Sequence, residues 1–359
     1  MVDAFSAVRV GGVRLANRIA MAPMTRNRAG DGETATPLMA EYYRQRASAG
    51  LIVTEAVQPS LRGQSYVHTP GLFTEEQTRS WRQVTEAVHE AGGRIFAQLL
   101  HGGREGHPDV RQGLLPEAPS AVAAPGLTHT PSGMKDNVVP IAMTEADIER
   151  ALADFAGAAR NAVAAGFDGV QLHGANGYLI HQFLCSDANV RTDRWGVTPE
   201  GRTRFAVAAV EAVADVVGAE RTSLRVSPAS TVHAMREEDP EALYRAMIDG
   251  LKPIAGDLAF LDISETPGHR DLTRTLRSLW PGALILNPHR DEAPLEPHEV
   301  VRDVLDSGVA DVVALGRSFL ANPDLPHRIA AGGPYNTPQP ETFYGGDAGG
   351  YTDYPALAG

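Results

Sequence analysis

The strongest constraint on this chain is the spacing of its short apolar runs. Eight stand out: Ile19–Met24, Leu51–Ala56, Arg94–Leu99, Gly169–His173, Ser223–Val226, Leu258–Ile263, Ala283–Leu286 and Asp311–Leu315. Most are apolar without strict alternation, the pattern of parallel strands buried on both faces. Helix starts lie between them. Thr36-Pro37, Thr198-Pro199 and Asp239-Pro240 each set an N-cap before a first-turn proline, and Gly50 is expected to close the first of these helices. Thr144 and Asp147 have capping-box spacing, ahead of Ile148, Leu152, Phe155 and Ala159 on one helical face. Eight β-then-α units with no break in composition predict an α/β protein: a single (β/α)8 TIM barrel, residues 1–359 forming one domain. A doubly wound open sheet would need fewer strands or a second domain.

Two stretches depart from the repeat. His101 to Met143, after the third strand, is rich in Pro, Gly and Ala, and an excursion of that length is usually a lid or subdomain. The tail from Gly332 carries Tyr335, Tyr344, Tyr351 and Tyr354 and is expected to pack back on the barrel. With 44 acidic against 32 basic residues, the net charge of −12 disfavours nucleic acid and anionic membranes as partners. Met1 to Val10 does not read as a signal peptide, and no apolar run approaches the ~18 residues of a membrane span. A lone cysteine, Cys185, excludes an internal disulfide and fits a reducing compartment. The expectation is a cytoplasmic protein, monomer or homodimer.

Active sites of such barrels lie at the carboxyl ends of the strands. There the sequence places Pro23, Met24, Thr25 and Arg26; Glu55 and Ala56; Gln98, Leu100 and His101; His173, Asn176 and Tyr178; Arg225; and Gly316-Arg317. The His101/His107 and His173/His181 spacings match no familiar ligand pattern, so no metal is expected. There is no G-x-S-x-G elbow. Arg225, inside a buried strand, requires a partner, because an unpaired buried cation is costly. Gly316-Arg317 at the eighth strand suggests an anion, since barrels often hold phosphate near the last two strands. Taken alone, His173 reads equally well as a core histidine, Asn176-Gly177 as a turn and Tyr178 as a packed aromatic.

The run Gly166-Phe167-Asp168-Gly169-Val170-Gln171-Leu172-His173-Gly174-Ala175-Asn176-Gly177-Tyr178-Leu179 resembles the signature of the Old Yellow Enzyme family. Matching segments extend from Asn17-Arg18-Ile19 and Pro23-Met24-Thr25-Arg26, through Gln45-Arg46-Ala47-Ser48 and Gly103-Arg104, to Asn322-Pro323-Asp324 and Tyr351-Thr352-Asp353-Tyr354-Pro355. The resemblance implies an FMN-dependent oxidoreductase that takes electrons from NADPH or NADH and reduces the C=C bond of electron-poor alkenes, α,β-unsaturated carbonyl or nitro compounds. Pro23, Met24, Thr25, Ala56, Gln98 and Arg225 would contact the flavin, and Gly316 and Arg317 its phosphate. His173 and Asn176 would grip the substrate oxygen, and Tyr178 would donate a proton. Tyr66, Leu100, His233 and Tyr344 would line the pocket.

The sequence also departs from that family. The seventh strand feeds Leu286-Asn287-Pro288-His289-Arg290, where relatives carry a glycine-containing turn that cradles the phosphate. Proline has no N–H to offer, leaving His289 or Arg290 to replace the lost contacts. Leu100 stands where many relatives have tryptophan, and His233 where some have glutamine. The strand-seven departure keeps open a second reading: a non-redox isomerase or cyclase, or a desaturase, with the flavin in another role or absent.

Overall fold

The computed structural model describes residues 2–289 and 295–357. Eight parallel strands close into a barrel: Ile19–Met21, Leu51–Val57, Ile95–Leu99, Gly169–Gly174, Thr222–Val226, Phe260–Ser264, Leu284–Asn287 and Val312–Leu315. Each is fully buried, as the unbroken apolar runs require. The first strand is shorter than its apolar run. It stops at Met21, and the chain then passes through Pro23, which has no N–H for a strand ladder.

The helix starts follow the sequence signals. Thr36, Thr198 and Asp239 each accept a backbone N–H from the first turn of their helices, Pro37–Gln45, Pro199–Val217 and Pro240–Leu251. Thr144 and Asp147 form a reciprocal capping box on Glu145–Ala164. There Ile148, Phe155 and Ala159 are buried and Leu152 is half-buried. Gly50 does not close the first helix, which ends earlier at Arg46. Its reason is contact: a Cβ at Gly50 would stand 2.2 Å from the Asn17 carbonyl oxygen, where the second strand enters beside the first.

Val8–Val10 and Val13–Leu15 form an antiparallel hairpin, and Val10, Val13 and Leu15 join Ala20, Leu51, Phe96, Phe260, Ile285 and Val312 in one apolar cluster. This plugs the amino-terminal end of the barrel, so chemistry is confined to the opposite mouth. The excursion after the third strand carries a hairpin, Leu127–Thr130 with Gly133–Asp136, and a two-residue parallel pairing of Glu117–Ala118 with Ile141–Ala142. The tail does pack back. Tyr351 is buried and stacks on Tyr42 at 4.0 Å. The Arg26 guanidinium donates to the carbonyls of Phe343 and Gly350 at 2.9 Å each, and Arg46 to that of Tyr351 at 3.4 Å.

Candidate active site

Strand register brings the sequence-predicted residues together at the mouth. Ala56 pairs with Gln98, Gln98 with Gln171, His173 with Arg225, and Arg225 with Asp262. Gly316 follows the eighth strand, where a Cβ would meet Met24 Sδ at 3.5 Å, so the mouths of strands one and eight converge. Pro23, Met24 and Thr25 are half-buried there, and the Thr25 hydroxyl has no hydrogen-bond partner among the described residues.

A polar belt crosses the barrel beneath the mouth. Gln98 Nε2 donates to Gln171 Oε1 at 2.8 Å, and Gln171 Nε2 to Asp262 Oδ2 at 2.9 Å. Arg225 Nη1 donates to the same Asp262 oxygen at 2.6 Å, and Nη2 to Asn287 Oδ1 at 2.8 Å. Asn287 Nδ2 ends the belt on the Ala314 carbonyl at 3.0 Å. Asp262 is the partner that Arg225 required. Gln171, Asp262 and Asn287 were missed by sequence reasoning; their signal was a lone polar letter within or ending an apolar run.

His173 Nδ1 accepts the Ala175 N–H at 3.2 Å, which leaves the ring proton on Nε2. Burial first, then the Arg225 charge, hold the imidazole well below the usual histidine range. It is therefore a neutral donor at physiological pH. Asn176 has a left-handed backbone, φ 53°, followed by Gly177 at φ 86°. Three bonds hold this turn. The Asn176 N–H donates to Ser227 Oγ at 2.8 Å, its carbonyl accepts His233 Nδ1 at 2.8 Å, and the Gly177 N–H donates to His181 Nδ1 at 2.9 Å. Only glycine fits at 177, because a Cβ there would lie 2.7 Å from that of His233.

Tyr178 follows, its ring 5.0 Å from His173 and 5.3 Å from His233. Its hydroxyl meets that of Tyr66 at 2.9 Å. Burial, reinforced by Tyr66, pushes Tyr178 well above the ordinary phenol range, and burial takes Tyr66 up to about 12. Both stay protonated at neutral pH. Tyr344 is 70% exposed at the rim, near enough to add a small upward push on both phenols. Glu105 also faces the pair; it is buried, its carboxyl raised by burial against the opposing pull of His233, Arg104 and Arg111. No sequence pattern singled it out. Leu100 is buried at the third strand end.

Two candidates turn elsewhere. His101 accepts the Gly103 N–H on Nδ1 and faces Glu117 at 3.4 Å, inside the excursion. His181, Cys185 and Glu237 bring possible ligand atoms within 4.8 Å of one another, all buried. Both His181 nitrogens are occupied, by the Gly177 N–H and by Glu237 at 2.9 Å. Glu237 also accepts Tyr244 at 2.6 Å and the Ala229 N–H at 2.7 Å. The cluster is a brace beneath the Asn176 turn, with few lone pairs left for an ion. On the anion side, Arg317 is exposed and forms no ion pair among the described residues. His289 reaches the Glu265 carbonyl at 2.9 Å, and Arg290 lies outside the described residues.

Fold and site together define a (β/α)8-barrel enzyme with neutral donors converging beside a cationic strand end. Residues 3–336 match the model of the NADH:flavin oxidoreductase / NADH oxidase family, and the chain belongs to that family, which includes the Old Yellow Enzymes. It is 42% identical to a probable flavin mononucleotide-dependent alkene reductase of Leishmania infantum, over 97% of this chain and 96% of that protein. The structure of an Old Yellow Enzyme homologue from Zymomonas mobilis superposes with a TM-score of 0.94 at 40% identity, covering 99% of this chain and all of the other. Morphinone reductase in complex with tetrahydroNAD superposes at 0.93 with 38% identity, over 100% and 98% of the two chains.

Proposed function

We infer that the protein is an FMN-dependent, NAD(P)H-driven ene-reductase acting on α,β-unsaturated carbonyl or nitro compounds. The observation that carries this reading is the convergence of the neutral His173 donor, the pinned Asn176 and the protonated Tyr178 on one side of the barrel mouth. The mouth also fits the cofactor. Among the described residues the Thr25 hydroxyl has no hydrogen-bond partner and Arg317 pairs with no carboxylate, and Arg225 presents a guanidinium ion-paired with Asp262. Pro23, Met24, Ala56 and Gln98 would hold the ring, and Arg317 the phosphate. Bound FMN, reduced by the nicotinamide, would supply a hydride to the β-carbon of the alkene.

The remaining chemistry belongs to side chains. Hydride addition builds negative charge on the substrate's oxygen. His173 Nε2–H and the Asn176 amide, three residues apart on a fixed turn, would donate to that oxygen as an oxyanion hole does. Because His173 is held neutral, it polarises the oxygen without surrendering a proton to it. Tyr178, protonated at neutral pH, delivers the proton to the α-carbon.

The test is the visible spectrum of the purified protein with FMN, followed by NADPH oxidation driven by 2-cyclohexenone. A flavin spectrum with enone-dependent turnover supports the reading. Flavin bound without turnover on any enone would favour the non-redox alternative. Tyr178→Phe should keep flavin reduction and slow alkene reduction, whereas equal loss in both steps would remove the proton-donor role.

A further inference from the structure

The seventh strand ends where the chain departs from its family. Pro288 has no N–H, and the segment Asn287-Pro288-His289 has no glycine to let a phosphate approach the backbone. His289 is the last described residue of this turn. Its Nδ1 lies 2.9 Å from the Glu265 carbonyl oxygen. A carbonyl can only accept, so Nδ1 carries the proton and Nε2 is the free end of the ring. The groups facing this ring come from three strand ends. Glu265 follows the sixth strand, but both its carboxylate oxygens are taken by Arg270, at 2.6 and 2.9 Å. Arg225 and Arg317, from the fifth and eighth strands, face it with positive charge. The ring is partly open to solvent; the desolvation it does undergo and these two cations favour the uncharged form, with the Glu265 carbonyl and carboxylate pulling the other way.

An uncharged His289 in this orientation offers a phosphate only a lone pair. A protonated one offers an N–H and a charge. A phosphate dianion beside Arg317 cancels the positive field and supplies the acceptor that Nε2–H needs. We propose that His289 is a ligand of the flavin phosphate that engages it only by taking up a proton, so that FMN, but not riboflavin, is held progressively less tightly as pH rises. The proposal rests on the flavin reading above and adds a side-chain clamp where a backbone cradle is missing.

The experiment titrates flavin-stripped full-length protein with FMN and with riboflavin, following flavin fluorescence from pH 6 to 9. The expected result is an FMN preference over riboflavin that falls about tenfold across this range, the loss of one charge-assisted hydrogen bond. In His289→Gln the preference should be lower at pH 6. It should not fall further with pH, because the phosphate's own second ionisation near ~6 works in the opposite direction. His289→Arg should keep the preference high and flat. Calorimetry in buffers of differing ionisation enthalpy should show proton uptake on FMN binding to the wild type at pH 8, and none in His289→Gln.

A pH-independent preference in the wild type, or His289→Gln matching the wild type throughout, overturns the clamp while riboflavin binding leaves the flavin reading in place. Failure to bind either flavin overturns both.

Discussion

The hydroxyl oxygens of Tyr66 and Tyr178 stand 2.9 Å apart, on rings set at 87° to one another. Tyr178 reaches the mouth from the strand-four turn, and Tyr66 from the loop after strand two. A phenol that has given its proton to carbon is left as a phenolate in a buried place, and Tyr66 is the neighbour able to donate to it. Tyr66→Phe should therefore slow flavin reoxidation by 2-cyclohexenone by about tenfold, the worth of a hydrogen bond to a charged group. Flavin reduction by NADPH should be unaffected. Stopped-flow measurement of the two half-reactions separates the cases, and equal slowing of both would mean that Tyr66 merely shapes the pocket.

His173 donates through Nε2 because Ala175 occupies Nδ1. Phenolate inhibitors present an oxygen like that of the developing enolate. His173→Ala should weaken their binding to the oxidised protein by roughly 10- to 100-fold, the loss of one donor to a charged oxygen. Absorbance titration with a para-substituted phenol reads this directly. Unchanged affinity would place the substrate oxygen elsewhere.

Asp262 holds Arg225 and Gln171 at once. Asp262→Ala strands a buried cation and should cost about 3–5 kcal/mol of stability in urea unfolding. Removing both charges, in Arg225→Met with Asp262→Leu, should cost less than the sum of the single variants. Strict additivity would show that the two groups are not coupled.

Glu55 is fully buried, accepting from Tyr43 and from the Arg26 N–H at 3.3 Å each. Burial raises its carboxyl to about 7. The folded state thus keeps a proton that the unfolded chain releases above the ordinary carboxyl range. Its contribution to stability is complete below pH ~4.5 and is lost as pH rises through ~7. Glu55→Gln should flatten the fall in unfolding free energy between pH 5 and 8, by on the order of 2–3 kcal/mol. Parallel slopes for the two proteins would mean that Glu55 is ionised when folded.

The barrel was readable because parallel strands covered on both faces leave unbroken apolar runs, and because the helices begin with caps whose chemistry is local. Thr36-Pro37 and Thr144 with Asp147 behave as their spacing requires. Gly50 was misread because its constraint comes from Asn17, thirty-three residues earlier in the chain. The same distinction governs the site. Arg225 announced that it needed a partner, but naming Asp262 required knowing that the fifth and sixth strands pair in that register. The brace of His181 on Glu237 spans 56 residues and follows no local rule. The roles proposed for His173, Asn176 and Tyr178 come from family resemblance; their spacing alone permits a core histidine, a turn and a packed ring.

The arginines that bind the tail also order the birth of the site in time. Arg26 sits next to Thr25, and its carbonyl partners on Thr342, Phe343 and Gly350 lie 316, 317 and 324 residues further along. During synthesis the loop that would face the flavin emerges first, and the groups that fix it emerge after all eight strands. A ribosome-bound chain can close its barrel while that loop is still unanchored. The loop beside Thr25 therefore gains these carbonyl partners only once the tail has docked.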